Sequence, residues 1–173
     1  MTDATGRTVE KVTLAPHYTW LTYDQLAERS AAFGSGLVAL TGLTAKEKVV
    51  IYAETNPSWM LAAQGVFRQS GVVVTVYATL GVEGVRHGVS QTASRVVICD
   101  AKLLKTLLEA ASSGCGALQH VITIGDVPKE LLAKLPPGVK ASSMDEVIAA
   151  GRERPVAPTP PKPSDLAVIM YTR

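Results

Sequence analysis

The sequence predicts an α/β fold in which one parallel sheet carries helices on both faces. Three observations predict it. Short β-branched runs such as Val72 to Tyr77 (VVVTVY) are almost wholly apolar, as strands buried on both faces must be. Segments of helical periodicity stand between these runs, and parallel strands need such crossovers. The first four strands recur about every 24 residues although the segments share no sequence similarity, which is the spacing of βα units rather than of a repeat family.

The first helix opens at Thr22, with Gln25 three residues on, the pattern of a capping box. Leu21 and Leu26 flank the cap at the spacing of a hydrophobic staple. Leu26, Phe33, Leu37 and Leu40 follow at helical intervals, predicting one buried face. Gly42 is placed to end that helix in the left-handed conformation. Lys48 to Ala53 reads as a buried strand. Asn56-Pro57 then supplies a cap and a first-turn proline for a helix carrying Trp59, Ala63, Val66 and Phe67, which Gly71 is expected to close. Trp59 and Phe67 keep helical spacing and are expected in the core.

After the Val72–Tyr77 strand, Val82 to Thr92 predicts a modest helix, weakened by Gly84 and Gly88. Arg95 to Cys99 is the third strand, followed by a leucine-rich helix from Ala101 to Ser112. His120 to Ile124 is the fourth. Short helices are expected near Lys129–Leu135 and Met144–Gly151, the latter capped by Ser143 and Glu146. Gly151 to Pro163 holds five prolines in 13 residues and reads as an extended connector. Leu166 to Tyr171 (LAVIMY) is the fifth strand. The expected organisation is an α/β core over 1–150, a connector over 151–163 and a final strand over 164–173.

Composition narrows the function. Hydrophobic residues make up 47% of the 173 and charged residues 18%, which excludes intrinsic disorder. The 17 basic and 15 acidic residues are interspersed, with no basic stripe of the kind that binds nucleic acid. No apolar run is long enough to span a membrane. Met1 to Arg7 is polar and lacks a signal peptide's apolar core, so an intracellular, reducing compartment is expected. Cys99 and Cys115 show no Cys-x-x-Cys spacing and are expected to be inert.

Several features suggest chemistry and fail on context. Gly34-Ser35-Gly36-Leu37-Val38-Ala39 matches a dinucleotide fingerprint, but it lies deep inside a helix rather than after a strand. Its glycines are expected to admit a close neighbour instead. His17, His87 and His120 share no metal-ligand spacing. Glu54 and Asp100 follow strand ends, where site residues gather, and are read as turn and helix-start residues. No catalytic residue is assigned.

The run Lys162-Pro163-Ser164-Asp165 followed by Leu-Ala-Val-Ile-Met-Tyr171-Thr172 resembles the lead into the phosphate-binding loop of AMP-forming acyl-CoA synthetases. Tyr171-Thr172 match that loop's opening, and Arg173 departs from the family's serine. Tyr18–Leu40 and Ala53–Gly81 resemble the long-chain branch, with its Phe-Gly-Ser-Gly-Leu run and its Tyr-x-Thr-Leu-Gly strand end. His87-Gly88 sits where that branch often has His-Gly. The resemblance implies the N-terminal subdomain of an adenylate-forming enzyme. It also implies a ligase that activates a fatty acid with ATP to an acyl-adenylate and passes the acyl group to coenzyme A.

Members of this family use ATP, Mg2+ and coenzyme A, and are often found on the endoplasmic reticulum or other organelle membranes. Thr172 carries over as an ATP- and magnesium-proximal residue. Because the loop's glycines and serines are absent here, the chain alone is expected to be a catalytically incompetent fragment binding none of these. The alternatives are a non-catalytic α/β binding or regulatory module that pairs with another chain, and a receiver-like signalling domain. The latter lacks its acidic cluster.

The last strand carries a further expectation. Leu166, Val168, Ile169 and Met170 contribute about 1.5–3 kcal/mol each when buried, against roughly 1–2 kcal/mol of backbone entropy per residue. With no helix following to cover it, this strand is expected to fray or to self-associate.

Overall fold

The computed structural model describes residues 16–171. In chain order these form α1 (Tyr23–Thr41), β1 (Lys48–Tyr52), α2 (Pro57–Arg68), β2 (Val72–Val76), α3 (Val82–Thr92) and β3 (Val96–Asp100). A 3-10 turn (Ala101–Leu103) leads into α4 (Leu104–Ser112), followed by β4 (His120–Ile124), α5 (Lys129–Leu132), β5 (Lys140–Ser143), α6 (Met144–Glu153) and β6 (Val168–Met170). The strands form one parallel sheet in the order β5-β4-β3-β1-β2-β6.

The sheet is covered on both faces, as its apolar strands require. Val49, Ile51, Val73, Ile98 and Ile122 meet Phe33 and Leu37 of α1, Leu61 and Val66 of α2, and Val147 and Ile148 of α6. Val50, Val74, Val97 and Val121 point the other way, against Val85 and Val89 of α3 and Leu104 and Leu107 of α4. Alternation along each strand therefore divides one apolar run between two cores.

Local signals placed the helix starts. The Thr22 and Gln25 side chains cap α1 reciprocally at 3.1 and 2.9 Å, and Ser143 with Glu146 does the same for α6. Asn56 Oδ1 accepts the Trp59 N–H at 2.9 Å. Gly42 ends α1 with φ +64°.

Other expectations change. Leu40 is 37% exposed, because α1 packs through Phe33, Gly36 and Leu37 and Leu40 lies on the margin of that face. The left-handed residue after α2 is Ser70, at φ +51°, rather than Gly71. Gly71 is needed for space: a Cβ there would lie 2.7 Å from Val66 Cγ1. β3 runs one residue further, to Asp100, and α5 stops at Leu132. β5 was not legible, since Lys-Ala-Ser-Ser has no strand signal; it forms by pairing with β4, Ile122 opposite Ser142. The final strand shortens to Val168–Met170, leaving Leu166 57% exposed.

The Gly-Ser-Gly run of α1 is a packing device. A Cβ on Gly34 would lie 2.8 Å from Gly65 O of α2, and one on Gly36 would lie 1.8 Å from Val147 O of α6. Gly151 of α6 answers it, with Ala32 O 1.7 Å from its would-be Cβ. These helices touch backbone to backbone.

The proline-rich connector is extended and pinned. Ser35 Oγ accepts the Val156 N–H at 3.0 Å, Ser70 Oγ donates to Thr159 O at 2.6 Å, and the Thr159 N–H reaches Arg68 O at 2.9 Å. Asp165 then accepts the Lys162 N–H at 2.8 Å and pairs with Lys46 at 3.3 Å. That backbone bond, and then Lys46, hold the Asp165 carboxyl below its ordinary pKa.

Replacing Gly151 by alanine forces α6 away from α1. The expected loss is about 3 kcal/mol of stability, whereas Gly116→Ala, where a Cβ meets nothing, should change it by less than about 0.5 kcal/mol. Urea unfolding of the two variants beside the parent measures both.

Candidate functional site

Six parallel strands place all their carboxyl ends on one rim of the sheet, the side on which ligands bind in open α/β folds. The chain reverses direction between β1 and β3, whose connections lead to opposite sides. That crevice is a small cavity of ≈ 260 Å³ lined by Glu54, Asn56, Asp100 and Lys102. Asp100 Oδ2 accepts the Glu54 N–H at 2.8 Å, and the Glu54 carboxylate pairs with Lys102 at 2.5 Å. Asp100 thus ties down the turn after β1 without capping the helix that follows it, and Glu54 forms an exposed ion pair.

A larger open space lies one strand over. A cleft of ≈ 490 Å³ runs between the ends of β1, β2 and β6 and the first turn of α2. Its walls are Ala53, Trp59, Met60, Val76, Tyr77 and Met170, with Thr55, Asn56, Thr75 and Thr79 among its polar groups. Met60, Tyr77 and Met170 are 47%, 46% and 61% exposed. The loop after β2 is held in place by the Tyr52 hydroxyl, which donates to Leu80 O at 3.0 Å. The arrangement can hold apolar surface. Asn56 is committed to its cap and Glu54, the carboxylate lining the cleft, to its ion pair.

Trp59 therefore has two roles, packing against the core with one side and lining the cleft with the other. Sequence reasoning saw the first. The cleft had a signal in the rule that residues just past strand ends face ligands, but its lining comes from three separate segments, the last of them Met170.

Thr172, the one site residue carried over from the resemblance, lies outside the described residues. Its neighbour Tyr171 leaves the sheet beside the cleft, on the α3 side. His87 is on α3 against the Tyr171 ring, and His120 is at the opposite, amino end of the strands. Cys99 and Cys115 are buried. Burial, and then the neighbouring Asp100 charge, push the Cys99 thiol far up, so it carries no thiolate reactivity. Among the described residues no three of His, Cys, Asp and Glu come together to hold a metal ion.

A profile of the family described as AMP-binding enzyme matches residues 2–172. The chain belongs to the AMP-binding enzyme family. Long chain acyl-CoA synthetase 8 of Arabidopsis thaliana is 36% identical over 176 residues, covering 99% of this chain and 24% of that protein. Long-chain-fatty-acid–CoA ligase 1 of Homo sapiens is 34% identical over 159 residues, covering 90% and 23%. The chain thus spans about a quarter of the length of these relatives.

Solved structures agree on the fold. The A-PCP didomain of carboxylic acid reductase from Segniliparus rugosus, in complex with AMP, superposes with a TM-score of 0.81 at 23% identity, over 100% of this chain and 26% of that one. A long-chain-fatty-acid-CoA ligase from Archaeoglobus fulgidus gives 0.73 at 14%, over 95% and 30%. The expected parallel sheet with helices on both faces is the sheet found. No helix among the described residues is long and apolar enough to cross a membrane.

His120 supplies a pH dependence. It is buried, with Nε2 3.1 Å from Ser142 Oγ. Burial, and then the Lys140 cation, hold its pKa below the ordinary value. The unfolded chain therefore takes up a proton near about pH 6.5 that the native imidazole refuses. Its contribution to stability is present above that pH and is lost as pH falls through the depressed native value. His120→Gln should flatten the decline in urea-unfolding stability between about pH 7 and about pH 5; an unchanged decline would assign it to other groups.

Proposed function

We propose that this chain is a fragment of a long-chain fatty acid–CoA ligase, from the amino-terminal part of its AMP-binding domain. The observation that supports the reading is 36% identity to a long-chain acyl-CoA synthetase along 99% of the chain. In the proposed reaction a fatty carboxylate oxygen attacks the α-phosphate of ATP, forming acyl-adenylate and releasing pyrophosphate. The coenzyme A thiol then attacks the acyl carbon, giving the thioester and releasing AMP.

Within that reaction, the chain supplies a rigid sheet rim and delivers the polypeptide to the phosphate-binding loop, with Thr172 as its first ATP contact. The boundaries of core, connector and final strand proposed at 150 and 163 serve this delivery. Magnesium and coenzyme A belong to the complete enzyme, as does the intracellular, membrane-associated setting of the family.

Charge stabilisation of a developing phosphoryl transition state needs an organised set of donors, and the described rim carries no such set. The 173-residue chain by itself should therefore show no fatty-acid-dependent exchange of pyrophosphate into ATP. A complete polypeptide carrying it should show that exchange with long-chain acids. Exchange by the purified 173-residue chain, abolished by omitting fatty acid, would falsify the assignment of a partial role.

We further propose that β6 pairs with a second copy. It is an edge strand, bonded to β2 on one side, and Leu166, Val168 and Met170 are 57%, 38% and 61% exposed around it. Such edges template pairing between chains. Light scattering should rise above the monomer mass with concentration, together with slower hydrogen exchange in β6. A monomer mass at every concentration, with β6 already protected, would rule the pairing out.

A further inference from the structure

Tyr171 follows β6 directly and is held from three directions by α3. Its hydroxyl donates to Gln91 Oε1 at 2.7 Å. The His87 ring stands edge-on to it, with centroids 5.7 Å apart and planes at 75°. Gly88 lies between them, where an added Cβ would sit 2.9 Å from Val76 Cγ2 and 3.6 Å from Tyr171 Cε2. His87 and Gln91 are one helical turn apart and so share a face. The helix that carries them is fixed to the sheet by Val85 and Val89, both fully buried.

The core does not need these two polar residues. His87 and Gln91 are exposed, and neither bonds any other described side chain in the hydrogen bonds found. What they do is restrain one ring, on the residue immediately before Thr172. These contacts at its tip, edge and flank hold Tyr171, the last described residue, against α3.

We propose that α3 is the seat from which the phosphate-binding loop departs, with His87 and Gln91 acting as positioning residues for ATP through Tyr171. The proposal rests on the ligase reading above. It asks for no contact between either residue and the nucleotide.

Two measurements test it. In the 173-residue chain, Gln91→Leu and Tyr171→Phe should each speed β6 amide exchange by about three- to tenfold, the scale of one hydrogen bond. The double variant should be no faster than either, and β4 amides should not change. Gln91→Glu, which keeps an acceptor oxygen, should restore the parent rate. Additive effects, or none, overturn the seat.

In a polypeptide carrying this segment at the head of a complete ligase, Gln91→Leu and His87→Ala should raise KM for ATP several-fold. KM for fatty acid should stay unmoved, and Gln91→Glu should rescue. An ATP KM unmoved by variants that loosen β6 overturns the positioning role alone. Absence of fatty-acid-dependent exchange in the unmutated polypeptide overturns the ligase reading, and the positioning role with it.

Discussion

The backbone-to-backbone contact of α1 with its two neighbours is the constraint on which the rest of the molecule depends. At Gly36 and Gly151 there is no room for a single methyl group between α1 and α6, and at Gly34 and Gly65 there is none between α1 and α2. Helices bearing ordinary side chains pack about 8–10 Å apart. Removing the side chains lets three helices cover one face of a six-stranded sheet as a thin, continuous layer. The same run of glycines resembles a nucleotide fingerprint in sequence, and its structural role explains it without a nucleotide.

That layer determines where the end of the chain goes. Because α6 lies flat on α1, the connector leaves α6 beside Ser35, which binds Val156, and crosses to Ser70, which binds Thr159. A stretch with five prolines has few amide donors and a restricted backbone, so two serine hydroxyls and a few backbone bonds suffice to lay it down. It carries the chain from the end of α6 to β6, at the opposite edge of the sheet from β5. The Lys46–Asp165 pair and the turn at Lys162 then aim β6 along β2.

The rim shows how neighbouring strand ends divide their work. Between β1 and β3, where a ligand would sit in many open sheets, Asp100 accepts the Glu54 N–H and Glu54 pairs with Lys102 around a small cavity of ≈ 260 Å³. The space between β1, β2 and β6 is left open and apolar.

Much of this was present in the linear order of residues. Thr22, Gln25, Asn56, Pro57, Ser143 and Glu146 determined three helix starts by themselves, because a cap is a contact among residues a few positions apart. β-branched runs determined four central strands, and the order of strands and helices determined a parallel sheet. The motif ending in Tyr171-Thr172 pointed to the family. Tertiary structure decided what depended on distant partners. β5 is a strand because β4 offers it a ladder, and Leu40 is exposed because the glycines turn another face of α1 inward. The cleft exists because Trp59, Tyr77 and Met170 meet across more than a hundred residues of chain. Tyr171 finds Gln91 from 80 positions away. No local pattern encodes such meetings; they follow from which strand the folded sheet places beside which.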